Sequence, residues 1–374
     1  MNTKHRISTQ AVRVLAALVL AASTALATDI TWTGAADTYW TNAANWDPPQ
    51  VPTASNHVIL NATNSGSVTV PASATFSSLD WMGGAIFGAL TVATDATFNI
   101  SSDASFLNAV LTNAGTVVWT SANMLHMSVP GVTNVVINNL ASGLFDIRND
   151  QLLTTIPVQK SFMNAGTVRK SAGLTSTINV GAFDNRGTVE AQTGTLSLVV
   201  RSNGYSSGPS AILAVSLGGT NTSDYGQIHI TESNVTPVPL PLAGTFSVST
   251  RSGFRPNPGD MFQVFSSYTP TTNDFACLDG LDLGGGLLLV PQFTATSLSL
   301  NAATYATNSS RPQLFITRSP TSAHLTWPLG FTNWVLQSAT NLSSTNWSPV
   351  SAPCGNQALV PANPPEQYFR LISN

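Results

Sequence analysis

From about residue 61 the chain repeats a polar corner followed by an alternating apolar run. "GTVVW" from Gly115 and "GTVEAQTGTLSLVV" from Gly187 set β-branched or large apolar residues at every second position. That is the period of strands with one buried face. The runs are opened by Asn-x-Gly-[Thr/Ser]-Val at Asn64, Asn113, Asn164 and Asn185, spaced by 49, 51 and 21 residues. The first two spacings equal two periods and the last equals one. Degenerate copies place Gly88 in "FGALTV" and Gly143 in "NNLASGLFDI". The glycines Gly66, Gly88, Gly115, Gly143, Gly166 and Gly187 then step by 22, 27, 28, 23 and 21 residues. A period of that size marks a solenoid with one supersecondary unit per coil.

Asn and Gly tolerate the left-handed backbone that closes a tight corner, and the following Thr-Val starts a strand. Large residues before the corner, Leu111, Phe162 and Phe183, are expected to point inward and stack from coil to coil. A β-sandwich also contains such turns, but recurrence of one corner favours an all-β, right-handed parallel β-helix, the hand of parallel crossovers. Each coil should add about 4.8 Å along the axis. An open solenoid end invites edge-to-edge association unless it is covered. The tryptophans Trp32, Trp40 and Trp46 stand directly before the first corner. They read as a buried cap, with Pro48, Pro49 and Pro52 ending strand pairing, rather than as an exposed carbohydrate platform.

The same stretch carries a resemblance. "WTGAADTYWTNAANWDPPQVPTASNHVIL" is similar to the W-x-G…W…A-x-N-W…P…D-x-V opening of secreted β-helix proteins of verrucomicrobia, planctomycetes and related bacteria. Trp32, Gly34, Trp40, Asn45, Trp46, Pro52 and Val58 match. Asn56 stands where that pattern has an acid, which removes the basis for a cation there.

After Gly204 the corners become irregular. "GQIHI", "GTFSVSTRSGFRPNPGDMFQVF" and "TSLSLNA" read as strands joined by Gly, Pro and Asn turns. This stretch resembles the closing segments of bacterial passenger-type β-helices. Alternation returns in "AHLTWP", "NWVLQSA" and "QYFRL", as in a small antiparallel sandwich. Trp327, Leu336, Leu342, Trp347, Phe369 and Leu371 carry a second resemblance, to a fibronectin-III-like module at the C-terminus of secreted verrucomicrobial proteins. The expected organisation is therefore a leader at 1–27, a Trp-rich cap at 28–60, a solenoid at 61–300, a linker at 301–312 and a sandwich at 313–374.

The leader is legible on its own. Lys4, Arg6 and Arg13 precede the apolar run Val14–Ala22, and Ala25–Ala27 forms an A-x-A cleavage site. Cleavage after Ala27 would leave Thr28 first, in an exported chain with no later apolar run long enough to span a membrane. It would also leave eleven basic against 17 acidic residues, a net charge of −6. Charged residues make up 8% of the chain, against about 25% in an ordinary soluble domain. No basic patch exists to neutralise phosphates, so nucleic acid is excluded as a partner. Extracellular glycans or other surface proteins are the expected partners. Cys277 and Cys354, 77 positions apart, could form one bridge; we read them as two buried free thiols.

Catalytic chemistry is sparse. In "FDIRND", Asp146, Arg148 and Asp150 lie two apart, as on one strand face. Arg169, 21 residues beyond Arg148, would stack above it by one coil. These are the weak candidates for a polysaccharide-cleaving site, which would need paired carboxylates or a calcium-assisted base. A solvated strand face and corner is the reading preferred for them. "DGLDLGGG" from Asp279 occurs once and reads as turns rather than a metal site. The mature histidines His57, His126, His229 and His324 are scattered, without metal-ligand or nucleophile spacing. No cofactor is expected. The sequence thus reads as a non-catalytic secreted or cell-surface structural or adhesion-type protein, the alternative being a β-helix that binds or degrades polysaccharide.

Overall fold

The computed structural model describes residues 27–373 apart from 62–65, 102–105, 128–134, 156–159, 202, 233–237, 272–274, 320–321 and 363–365. Residues 1–26 of the segment read as a leader, and Asn64 of the first corner, lie outside the described residues. The chain is a parallel β-helix with a small antiparallel module at its C-terminal end.

One face of the solenoid is a twelve-stranded sheet. After the capping strands it ascends through Asn56–Leu60, Ser78–Trp81, Thr97–Ile100, Thr116–Trp119, Leu144–Ile147, Thr167–Lys170, Thr188–Ala191, Ile212–Leu217 and Thr245–Thr250 to Cys277–Asp279. All of these neighbours pair in parallel. The remaining wall opens with the short strand Ser67–Val70 and continues with two long strands, Ala85–Val92 and Phe106–Asn113, paired along their whole length. Above them it divides. Leu125–Met127 continues the first half of Phe106–Asn113, and Val135–Asn139 continues the second. From there each coil has three short strands and a triangular section. The second face runs through Leu152–Thr155, Thr175–Asn179, Gly194–Val200 and Gly226–Glu232; the third runs through Ser161–Asn164, Ala182–Asn185 and Tyr205–Ser207.

Alternation puts every second side chain inside, as in the buried positions Val168 and Lys170 of Thr167–Lys170. The expected inward stack is present. Leu111, Ile137, Phe162, Phe183 and Tyr205 occupy one register column and are buried. Phe162 and Phe183 lie 5.0 Å apart, centroid to centroid.

The corner between the third and first faces is built on a ladder of buried amides. Asn113 Nδ2 donates to Asn139 Oδ1 (2.8 Å), Asn139 Nδ2 to Asn164 Oδ1 (2.8 Å), and Asn164 Nδ2 to Asn185 Oδ1 (2.9 Å). Each of the three lower asparagines also donates to a strand carbonyl of the next coil: Leu144, Thr167 or Thr188. Tyr205 sits above Phe183 at the top of this column. Burial pushes its hydroxyl pKa up to about 12, against the pull of Ser207 and Asn185.

The glycines of this corner are required for a different reason from the one expected. Gly115, Gly143, Gly166 and Gly187 are not in the left-handed region. A Cβ on Gly166 would instead lie 2.3 Å from the carbonyl oxygens of Gly143 and Leu140. The coil beneath leaves room only for hydrogen. Two glycines drop out of the series. Gly88 lies mid-strand at φ +99°, opposite Val70, and the corner below Gly115 is formed by Ala93 and Ala96. Gly66 is exposed and precedes the strand Ser67–Val70, which pairs with Ala85–Gly88 on the other wall.

The N-terminal cap covers both open edges. Strand Trp46–Asp47 pairs antiparallel with Thr28–Trp32 and stops at Pro48. Across the core, Trp40 N donates to Thr69 O (3.1 Å) and Thr69 N to Thr38 O (2.7 Å), which covers the edge of Ser67–Val70. Trp32, Trp40 and Trp46 are at most 2% exposed. Trp46 packs edge-on against both others at 4.8 Å and donates Nε1–H to Trp40 O at 2.8 Å. The resemblance motif acquires a physical meaning here. Asn45, fully buried, accepts from Ala36 N and Asp37 N and donates to Asp37 Oδ1 and Tyr39 O, shaping the loop that carries Trp40. A Cβ at Gly34 (φ +59°) would meet Trp32 Nε1 at 3.2 Å.

Outside this cap, His57 lies between Asp29 (Nδ1 to Oδ1, 2.9 Å) and Asp80 (Nε2 to Oδ2, 3.1 Å). Desolvation lowers its pKa, but the hydrogen bonds and charges of the two aspartates outweigh it and raise the value. The charged ring therefore stabilises the first coils at pH below its ordinary value of about 6.5, and the contribution disappears as pH rises through the folded value. The urea midpoint should fall between about pH 5.5 and 8 more in the parent than in His57→Gln. Parallel curves for the two proteins would remove the electrostatic role.

At the other end, the strand Ser297–Thr304 pairs antiparallel with Met261–Ser267 and with Leu287–Phe293, turning the second face into a closing hairpin. That strand runs through Thr304, so the segment read as linker begins inside the solenoid. The C-terminal module has two three-stranded antiparallel sheets. One orders Phe315–Arg318, Ser322–Thr326 and Gln357–Pro361; the other orders Ser348–Pro349, Trp334–Ala339 and Tyr368–Ser373. Leu325, Trp327, Leu336, Ala358 and Val360 form its core, with Phe369 and Leu371 partly buried against it. Trp347 lies at the periphery under the Arg370 guanidinium, 4.3 Å away, and Leu342 is 68% exposed.

The module is docked rather than tethered. Phe315 packs on the solenoid core, Phe293 and His324 stack at 4.3 Å, and Leu329 N donates to Asp282 Oδ2 at 2.8 Å. Cys277 and Cys354 are joined by a disulfide, with Cα atoms 5.7 Å apart. The free-thiol reading is thus overturned. The two cysteines belong to different units that meet face to face, which a separation of 77 residues does not reveal.

Candidate functional site

The residues of "FDIRND" fall where the first face turns into the second. Strand Leu144–Ile147 ends before Arg148. There Asn149 folds inward, donating to Trp119 O (3.3 Å) and accepting from Gln151 N (3.1 Å). Asp150 consequently leaves the strand, and the expected single face with Asp146 does not form.

Asp146 points outward from the strand yet is fully covered. Arg148 Nε donates to Oδ2 at 2.7 Å; Arg169 donates Nε–H to Oδ1 at 3.1 Å and Nη2–H to Oδ2 at 3.0 Å. Arg169 is thus the coil neighbour of Asp146, not of Arg148. Burial alone would raise the Asp146 pKa, but hydrogen bonds from Arg169, Ser171 and Arg148 bring it below the ordinary carboxylate value. In return, the hydrogen bond to Asp146, against desolvation, raises the Arg169 pKa. Glu190 is the next rung above Arg169 and accepts from Gln192 Nε2 at 3.0 Å. The column Asp146, Arg169, Glu190 alternates in sign up the outer face. A carboxylate engaged by two guanidinium groups and held charged is poorly suited to give a proton or attack a sugar carbon.

Asp150 does a separate job. Its Oδ1 accepts from the backbone N–H groups of Leu174 and Thr175, the latter at 2.9 Å, one coil above. It also lies 3.5 Å from Lys170 Nζ. Lys170 is wholly buried inside the same corner and donates to Asn149 O (3.0 Å), Ala172 O (2.8 Å) and Ser176 Oγ (2.9 Å). Desolvation lowers its pKa, with Asp150 opposing. All three ammonium protons have acceptors, so the lysine is a fastener between coils.

On the second face, His229 Nδ1 meets Ser266 Oγ at 2.7 Å and Nε2 meets Thr231 Oγ1 at 2.8 Å. Desolvation lowers its pKa. A serine and an imidazole are in contact, but the far nitrogen faces a hydroxyl rather than the carboxylate that orients a catalytic imidazole. Next to Asp150, the same face carries an open groove of about 350 Å³, lined by Leu174, Thr175, Thr195, Thr222, Ser223 and Gln227. Among the described residues no group of three or more His, Cys, Asp or Glu is placed to hold a metal ion. In "DGLDLGGG", Asp282 is occupied by Gly284 N, Tyr305 Oη and Leu329 N.

No protein-family model and no curated protein matches the chain. Among the described residues, no helix is long and apolar enough to cross a membrane.

Sequence reasoning located the charged cluster but not its pairing, overlooked the amide ladder and Lys170, and preferred free thiols to the disulfide that forms. The ladder had a signal: an asparagine ends the strand before each corner, including Asn139 in the degenerate copy "NNLASG".

Proposed function

We propose that this chain is a non-catalytic secreted or cell-surface protein of structural or adhesion type, a capped rod that carries a fibronectin-III-like module at one end. The observation that carries the reading is the state of Asp146. This outer-face carboxylate, on which two cations converge, is consumed by Arg148 and Arg169 and joins coils. The leader motif supports export, and a disulfide suits an oxidising compartment. The two-sheet order of the C-terminal module supports the fibronectin-III-like reading. The cap built from Trp32, Trp40, Asn45 and Trp46 supports kinship with the secreted β-helix proteins it resembles.

A second reading has its own observation. The groove beside Asp150 presents hydroxyls, an amide and the exposed Leu174, a composition suited to a neutral glycan. A polysaccharide array combined with a reducing-sugar assay separates the two on the purified mature chain. No turnover is expected with any polymer. Asp146→Asn should leave that unchanged while lowering stability by about 3 kcal/mol, because it leaves two arginines without their carboxylate. Turnover in the parent that Asp146→Asn or Asp150→Ala abolishes would overturn the non-catalytic reading.

A further inference from the structure

Strand alternation divides the first sheet of the C-terminal module into two faces with different tasks. Phe315, Thr326 and Gln357 share one row, and Thr317, His324 and Leu359 the next but one. This face meets the solenoid. Phe315 packs on its core, His324 stacks on Phe293, and Gln357 Oε1 accepts from Leu278 N at 3.1 Å, covering the last strand of the first face. The opposite face of the sheet looks away from the rod. Its rows are Ile316, Leu325 and Ala358, then Arg318, Ala323 and Val360. Leu325, Ala358 and Val360 are core, yet Ile316 is 51% exposed. The second sheet stops short of it: among the described residues, its outer strand Tyr368–Ser373 pairs only with Trp334–Ala339. What is left is a cleft of about 440 Å³, with Ile316, Ala323 and Val360 on one wall and Phe369 on the other.

The lining is of two kinds. Apolar carbons form the floor, and Arg318, Glu366 and Gln367 stand around it. Arg318 Nη2 donates to Ala362 O at 3.3 Å, and Glu366 Oε2 accepts from Tyr368 Oη at 3.1 Å. Those bonds orient both groups and leave the other guanidinium donors and carboxylate lone pairs for a ligand. The volume lies within the range of about 300–1,000 Å³ usual for ligand pockets. A phosphate would face the Glu366 carboxylate, and an ammonium would face the Arg318 guanidinium. An acyl chain would leave both charged groups without a partner. A pyranose meets every demand. Its C–H faces cover Ile316 and Phe369, while neighbouring hydroxyls accept from the guanidinium and donate to the carboxylate. We propose that this cleft binds a neutral sugar unit of an extracellular glycan, so that the C-terminal module is the glycan-holding end of the rod. The proposal rests on the adhesion-type reading above and adds a site to it, separate from the groove beside Asp150.

The test uses the whole mature chain and soluble hexaoses of glucose, xylose, mannose and N-acetylglucosamine, with binding read by isothermal titration calorimetry. At least one hexaose is expected to bind. Arg318→Ala and Glu366→Ala should each weaken it by at least about tenfold, the loss of hydrogen bonds to a charged group. Both side chains are exposed, so the variants should keep the urea midpoint of the parent. Affinity that survives both substitutions overturns the proposal and moves the sugar elsewhere on the rod, while the adhesion-type reading stands. Binding of none of the four hexaoses overturns it as well. Turnover of a bound hexaose in the reducing-sugar assay would instead overturn the non-catalytic reading, and loss of affinity in the two variants would still support this cleft as the sugar's place.

Discussion

Replacing Trp46 with alanine should lower stability by about 3–5 kcal/mol, the cost of removing a buried indole from a packed site. Trp46 is the central ring of the cap, edge-on to Trp32 and Trp40 at 4.8 Å each, and its Nε1–H satisfies Trp40 O. Truncation removes both ring contacts and leaves that carbonyl buried without its donor. Its backbone also forms the short strand that covers the edge of Thr28–Trp32. Loss should therefore begin at the N-terminal coils, because a solenoid unfolds from its ends through nearest-neighbour terms. Two measurements check this: a urea titration followed by circular dichroism, and hydrogen exchange, where the strand Asn56–Leu60 should lose protection before Thr188–Ala191. Self-association should rise as the edge opens. If Trp46→Ala keeps its midpoint but loses affinity for a polysaccharide, the ring belongs to a binding platform and not to a cap.

The second large effect is expected inside the rod. In Asn139→Ala, Asn164 Oδ1 loses its donor, Thr167 O loses its amide partner, and Asn113 Nδ2 loses its acceptor. The two amide groups stay buried and the carbonyl half-buried. At about 1–3 kcal/mol for each buried polar group left unmade, with partial relaxation, the loss should be on the order of 3–5 kcal/mol. Position along the ladder supplies the control. Asn185 ends it: its Nδ2 meets no further asparagine, only the Ile212 carbonyl at 3.4 Å and the Tyr205 hydroxyl. Asn185→Ala should therefore cost clearly less than Asn139→Ala in the same denaturation assay. Equal losses at the two positions would mean that the amides act singly and that the corner is held by its glycines.

What could be read from the chain was the repeat and not the register. Asn113, Asn164 and Asn185 share a motif and also share a column, and the inward stack of Leu111, Phe162 and Phe183 followed from it. Gly66 and Gly88 share the same local text but stand elsewhere, since spacing alone does not say which wall a strand joins. Asp146 and Asp150 were placed on one face because alternation was carried past Ile147. The strand stops there, as the Asn149 side chain turns the coil inward. The tryptophan cap was legible because unpaired edges demand a cover and three tryptophans within fifteen residues sit before the first coil. The C-terminal cover was not, because it is made by a side chain and a disulfide contributed from about 77 residues away.

The asparagine ladder also makes the coils within it interchangeable. Each inner rung, Asn139 or Asn164, offers a donor upward and an acceptor downward, so these coils end in the same plug and socket. The stretch between Asn164 and Asn185 spans 21 residues and contains one full circuit of three strands. A tandem copy of it would meet matching amides on both sides and lengthen the rod by about 4.8 Å. Coil number is then a free variable for gene duplication, while the two covers stay fixed. The distance at which the terminal module is held can be tuned in steps of one strand spacing.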